Sequence, residues 1–160
     1  MKPKKYSKRR QFSSVSEPAF AYNLSEPVSV FSVLGVEPGS ITEPLNRIST
    51  FRSGFKKSVF DRLKEVTGLD NETLASALAV SSKTIQRTDV FDSVQSEKMY
   101  ALAELYAAGI GYFGLEGFRR WMDRPLFSLG NIRPLDLIDV SEGITMLKTE
   151  IMRLQHGVAV

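Results

Sequence analysis

The sequence predicts an all-α protein of about seven or eight helices, with an N-terminal helix-turn-helix portion packed on a C-terminal helical portion. Two observations carry this. From Leu45 to Leu154 apolar residues recur three and four apart. The ends of these stretches hold glycine, proline or residues able to cap a helix.

Composition bounds the function. Of 160 residues, 42% are hydrophobic and 24% charged, ordinary for a chain with a core. No apolar run approaches the roughly 20 residues of a membrane span, and no apolar segment follows the basic N-terminus. A cytoplasmic location is expected. Cysteine is absent and histidine occurs once, as His156, so no metal site and no cofactor are expected.

Charge is distributed unevenly. Lys2, Lys4, Lys5, Lys8, Arg9 and Arg10 crowd the first ten residues, whereas residues 11–46 carry only Glu17, Glu26, Glu37 and Glu43. Residues 47–87 are basic, with eight cations against four acids, and residues 88–160 are acidic, with seven against ten. The N-terminal run and the middle segment are the parts suited to a polyanion.

Residues 1–40, with Pro3, Pro18, Pro27, Pro38 and many serines, read as a basic arm with a short ordered piece around Val28–Leu34. The basic run is either a solvated tail or an arm lying on DNA phosphates. Residues 41–95 form the expected helix-turn-helix domain. Its first helix covers 42–53, capped by Thr42, with Pro44 early and Leu45, Ile48 and Phe51 recurring at helical spacing. Gly54 breaks it. A second helix covers Lys56–Thr67, with Val59, Phe60, Leu63 and Val66 on one face and Gly68 at its end.

Residues 68–87 carry the main motif. Asp70 or Asn71 caps a short helix bearing Leu74, Ala75 and Leu78. Ala79-Val80-Ser81 is a turn, and Ser81 or Ser82 caps a second short helix with Ile85 inward. Two short helices joined this way form the helix-turn-helix pattern. Ala75 is small where the helices cross. Ser82, Lys83, Thr84, Gln86 and Arg87 are left at or near the exposed face, able to donate to phosphates or read base edges.

Residues 96–160 form the second expected domain. Met99, Leu102, Ala103, Tyr106, Ile110 and Phe113 mark a long helix, and Ala101, Ala107 and Ala108 spread its apolar surface further round. A helix apolar on that much of its circumference predicts a homodimer, one face for the core and one for a second copy. Leu115, Phe118, Trp121 and Met122 form a short helix stopped by Pro125, with Trp121 in the core. Residues 127–131 are a loop, and Pro134 starts a further turn. Ser141 caps a last helix with Ile144, Leu147, Ile151 and Leu154 on one side, closed by Gly157.

The helix-turn-helix at 74–87, taken with FRRWMDRPLFSLGNIRPLDLI, SEG and RLQHGV, resembles the Xre/MbcA/ParS-like antitoxin family over residues 50–160. The matching positions are Trp121, Pro125, Leu129, Gly130, Arg133, Pro134, Asp136, Leu137, Ser141, Gly143 and Gly157. Asn131 replaces a second loop glycine, and Asn tolerates positive φ. Ala79 occupies a turn position that favours glycine.

The resemblance implies the antitoxin of a RES–Xre type II toxin–antitoxin pair. Such a protein dimerises, binds a RES-domain toxin acting on NAD, occludes its active site, and binds operator DNA of its own operon. It places toxin contacts at the end of the last helix. There Val158, Ala159 and Val160 are small enough to enter a narrow cleft beside Gly157. The Val160 carboxylate can meet a cation that serves NAD, while Arg153 or His156 meets an acid at the rim. Two alternatives stay open: a stand-alone helix-turn-helix regulator, or a toxin-binding protein whose helix-turn-helix no longer binds DNA. No enzyme is expected. Asp61, Glu65, Asp136 and Asp139 fall on polar helix faces, and GIGYFG at 109–114 is no dinucleotide fingerprint.

Overall fold

The computed structural model describes residues 27–157. They fold into helices α1 (Val30–Leu34), α2 (Pro38–Ile41), α3 (Pro44–Ser53), α4 (Lys57–Thr67), α5 (Asn71–Ala77), α6 (Ser82–Arg87), α7 (Ser93–Phe113), α8 (Leu115–Asp123) and α9 (Ser141–Gln155). Two 3-10 turns, Phe127–Leu129 and Pro134–Leu137, precede α9. Strand pairing among the described residues is limited to two isolated bridges, Lys56 with Val90 and Leu126 with Ile132. The all-α expectation holds.

The organising element is α7, about 30 Å long at 1.5 Å per residue. Its start is fixed by a capping box. The Asp92 carboxylate accepts from the Gln95 amide at 2.8 Å, and the Gln95 side chain accepts from the Asp92 amide at 3.1 Å. Helices α1, α3, α4, α8 and α9 all pack on it. Met99, Leu102, Ala103, Leu105 and Tyr106 are buried along it. The all-round apolar character of α7 is thus used within one chain, and it does not by itself call for a second copy. Gly109 is part of this packing, because a Cβ there would enter the Phe118 ring.

The short ordered piece expected around Val28–Leu34 is α1, and α2 adds a second helix within the residues read from the sequence as an arm. α1 begins with a reciprocal cap between Ser29 and Ser32, and it buries Val33 and Leu34 against α4 and α7. The basic residues 1–10 lie outside the described residues.

Two caps are corrected, and the apolar stripe between them in sequence turns out to face solvent. Thr42 closes α2, its hydroxyl donating to the Pro38 carbonyl at 2.7 Å, and does not cap α3. Leu45 and Ile48 are 80% and 45% exposed, not core. The cause is the set of bonds from the other side of α3: Asn46 to the Gly39 carbonyl, Arg47 to the Tyr100 hydroxyl, and Thr50 to the Ser40 carbonyl. These turn the apolar stripe outward and leave Phe51 packed edge-on against Phe55 and Tyr100. Finally, Ser141 is the first residue of α9, and Val140 stands at the cap position without a side-chain bond. A Cβ on Gly143 would strike the Leu137 carbonyl, so this junction packs backbone against backbone.

Candidate DNA-binding and toxin-binding surfaces

The helix-turn-helix is built from two caps and one unusual turn. Asp70 accepts from the Thr73 amide at 2.7 Å. That bond and the Thr73 hydroxyl hold the Asp70 carboxyl below its ordinary range. α5 then buries Leu74, Ala75 and Ala77, with Leu78 beyond its end. In the turn, the Ala79 amide donates to the Ser76 carbonyl at 3.0 Å and the Val80 amide to the Ala75 carbonyl at 2.9 Å. This paired pattern is a Schellman motif, and it places Ala79 at φ 54°. Ala therefore occupies the left-handed position that glycine usually fills. The Ser81 hydroxyl caps α6 through the Thr84 amide at 3.1 Å.

α6 is pinned by Ile85, its one buried residue. Lys83 and Arg87, four apart, project from the side opposite Ile85. Lys83, Thr84, Gln86 and Arg87 are exposed, and Ser82 is half-buried. Thr84 also shares a 2.9 Å hydrogen bond with the Ser81 hydroxyl, so it belongs partly to the cap. Among the described residues neither Lys83 nor Arg87 makes an ion pair. All five expected DNA-facing residues thus lie on one short helix with both its cations available.

The C-terminal portion is framed by aromatic packing. Trp121 is buried, stacked 5.5 Å from Phe113 and 5.6 Å from Phe118. The loop after Pro125 turns through Gly130 at φ 70° and Asn131 at φ 61°, so Asn131 does adopt the positive φ expected of it. Arg133 then forks onto Asp136 at 2.8 and 3.0 Å and reaches Asp123 at 3.3 Å. The guanidinium holds the Asp136 carboxyl below its ordinary range, and Asp136 in turn raises Arg133. These motif residues lock the entry to α9.

α9 buries Ile144, Leu147 and Ile151. Its other side shows Thr145, Met146, Thr149, Met152, Arg153 and His156 to solvent. Arg153 lies 3.8 Å from Glu150, His156 stands at the C-cap, and Gly157 turns the chain at φ 70°. The expected contacts Val158, Ala159 and Val160 lie outside the described residues. Met146 and Met152 were not singled out from the sequence, although their spacing on the side away from Ile144 and Ile151 was visible there. Tyr112 adjoins this face, its hydroxyl donating to the Leu154 carbonyl at 3.2 Å.

Residues 47–104 match the antitoxin Xre-like helix-turn-helix domain, and residues 108–157 match the antitoxin Xre/MbcA/ParS C-terminal toxin-binding domain. The chain belongs to the Xre/MbcA/ParS-like antitoxin family. Its helix-turn-helix domain precedes its toxin-binding domain. A Sphingobium sp. (strain YBL2) protein named Prs ADP-ribosylating antitoxin is 23% identical over 128 residues, covering 71% of this chain and 80% of the relative. Among the described residues no helix of this antitoxin is long and apolar enough to cross a membrane.

Proposed function

We propose that this antitoxin neutralises a cognate RES-domain toxin that acts on NAD, and represses its own operon through α6. The observation that carries the toxin half is the outward side of α9, which is low in charge and rich in Met and Thr. It lies inside the region matched by the toxin-binding domain. Thioether side chains suit an adaptable protein contact. Arg153, His156 and Gly157, continued by Val158, Ala159 and Val160, extend that side into the toxin's active-site mouth and occlude it. The name of the Sphingobium relative joins an antitoxin to ADP-ribosylation, a reaction that draws its ADP-ribose from NAD. The motif resemblance from Trp121 to Gly157 supports the RES assignment.

For the operator half, Ser82, Lys83, Thr84, Gln86 and Arg87 enter a major groove. The family resemblance supports a homodimer, with residues 96–160 serving both dimerisation and toxin binding, which presents two α6 helices to half-sites about one helical turn apart. The protein acts by binding and carries no catalytic role, and it works in the cytoplasm beside its toxin.

The decisive experiment co-expresses the toxin encoded next to this gene with either the full chain or a chain ending at His156. Growth and cellular NAD are measured. The full chain restores both, and the shortened chain, still folded, restores neither. Full protection by the shortened chain overturns occlusion by the tail. In parallel, Lys83→Ala with Arg87→Ala weakens binding to the promoter duplex and lowers its salt slope by about one per lost cation. An unchanged slope excludes α6 as the phosphate-facing helix. Light scattering at micromolar concentration tests the dimer.

A further inference from the structure

α6 is six residues long, far below the roughly 12–15 residues at which an isolated helix becomes even marginally stable. One buried side chain, Ile85, is a single pivot and does not fix a direction. The Ser81 cap and the turn at Ala79 fix its near end, and the far end, which decides the angle at which Lys83 and Arg87 are presented, needs a hold of its own.

Lys57, the first residue of α4, holds both the last turn of this helix and the segment that follows it. Its backbone amide donates to the Asp89 carbonyl at 2.8 Å, and its ammonium donates to the Ile85 carbonyl at 2.9 Å. The ammonium also sits 4.5 Å above the Phe60 ring, which is itself buried and stacked on Phe91. The Phe91 amide, donating to the Phe55 carbonyl at 2.8 Å, ties the same segment down two residues later. The Lys57 side chain is 34% exposed, and Asp61 approaches its ammonium at 3.9 Å.

The position of this lysine makes little sense for α4 alone. A cation in the first turn opposes the dipole of its own helix, whereas a cation at a helix C-terminus is favoured. Lys57 stands at the start of α4 and at the end of α6. The unfavourable placement in one helix serves the orphan carbonyl of the other.

We propose that Lys57 is a positioning residue that fixes the orientation of α6 and so its grip on DNA. The DNA part rests on the reading of α6 as the operator-facing helix. Lys57 itself does not touch phosphate, because its ammonium is directed at the Ile85 carbonyl.

The test uses the full chain with Lys57→Met, which keeps the stem, and Lys57→Arg, which keeps the charge. Two readouts are taken: amide exchange over residues 82–88, and affinity for a labelled promoter duplex across a salt series. Losing one charge-assisted bond, Lys57→Met should speed exchange in α6 about tenfold and weaken duplex binding about tenfold, with the salt slope unchanged. Lys57→Arg restores both. Unchanged exchange in α6 overturns the proposal. So does loss of protection spread evenly over the chain, which would mark a general stability effect. A slope reduced by about one would make Lys57 a phosphate contact instead, again overturning it. Wild-type chain that binds no duplex overturns the DNA reading alone; exchange then still decides whether Lys57 holds α6.

Discussion

Arg119 on α8 donates Nη2–H to the Val66 carbonyl at 2.9 Å and to the Glu65 carbonyl at 3.1 Å. The toxin-binding domain thereby closes the last turn of a helix in the helix-turn-helix domain. Gly68 makes room for this, since a Cβ there would lie 3.0 Å from the guanidinium. Glu116 holds the other edge of Arg119 at 3.1 Å. Replacing Arg119 with Met keeps most of the stem and leaves the two carbonyls to water. The expected loss is about 1–2 kcal/mol, reduced from a buried charged bond because the side chain is partly solvated. Urea unfolding at pH 7 measures it; an unchanged midpoint means that water replaces the guanidinium at no cost.

Two glycines of α7 should respond oppositely to alanine. Gly109 lies beneath the Phe118 ring, and a methyl group there forces the ring away, at about 1–3 kcal/mol. Gly111 has open space around its Cα, so Gly111→Ala gains helix propensity of about 1 kcal/mol. Thermal unfolding of both variants checks the pair. A stabilising Gly109→Ala would mean that α7 and α8 are not in this close contact.

Ala79 offers the converse test. It carries a methyl group in a left-handed conformation that costs an L-residue roughly 1–2 kcal/mol. Ala79→Gly relieves this but adds freedom to the unfolded chain, leaving a net gain of about 0.5–1 kcal/mol. A lower melting temperature for Ala79→Gly would contradict the positive φ.

What the sequence discloses here follows from how local each cause is. A cap at Asp70 or Asn71, another at Ser81 or Ser82, the inward Ile85 and the breaks at Gly54 and Gly68 each depend on a few neighbouring residues. All are legible without coordinates. Periodicity groups Leu45, Ile48 and Phe51 on one side of α3, but it does not say where the core lies. Hydrogen bonds from Asn46, Arg47 and Thr50 decide that. Likewise the apolar circumference of α7 announces burial without saying what covers it, and the cover is this chain's own helices. Lys57 with Ile85, and Arg119 with Val66, are tertiary pairs, 28 and 53 residues apart in sequence. No spacing rule reaches them.

The junction before α9 should be acid-sensitive in a defined direction. Asp136 has its folded pKa lowered from 3.8 by Arg133. A lowered folded pKa contributes stability that is complete above the ordinary carboxylate value. It is lost as pH falls through the lowered one. Asp136→Asn therefore reduces stability at neutral pH, and its difference from wild type shrinks below about pH 4 as the native carboxylate is protonated. Urea midpoints from pH 7 to pH 2.5 follow the difference. A gap constant across that range would show that the pair contributes nothing through charge.

The outward side of α9 can be tested without disturbing the core. Met146 and Met152 are 45% and 56% exposed, and the residues that hold α9 to α7 are Ile144, Leu147 and Ile151 on the other side. Lysine is a good helix former, and at position 152, near the end of α9, its charge also suits the helix dipole. Met146→Lys with Met152→Lys should therefore leave the fold and its unfolding midpoint intact. In the complex the same lysines would be buried against the toxin without partners. On the proposed function they would also face an entrance that offers cations to the phosphates of NAD. Burying an unpaired ammonium there costs several kcal/mol, so toxin affinity should fall by about 100-fold or more. Calorimetric titration with a catalytically inactive toxin, together with NAD levels on co-expression, measures the effect. Undiminished affinity in the double variant would show that the toxin sits on another side of residues 108–157, and that the exposed methionines of α9 serve no contact with it.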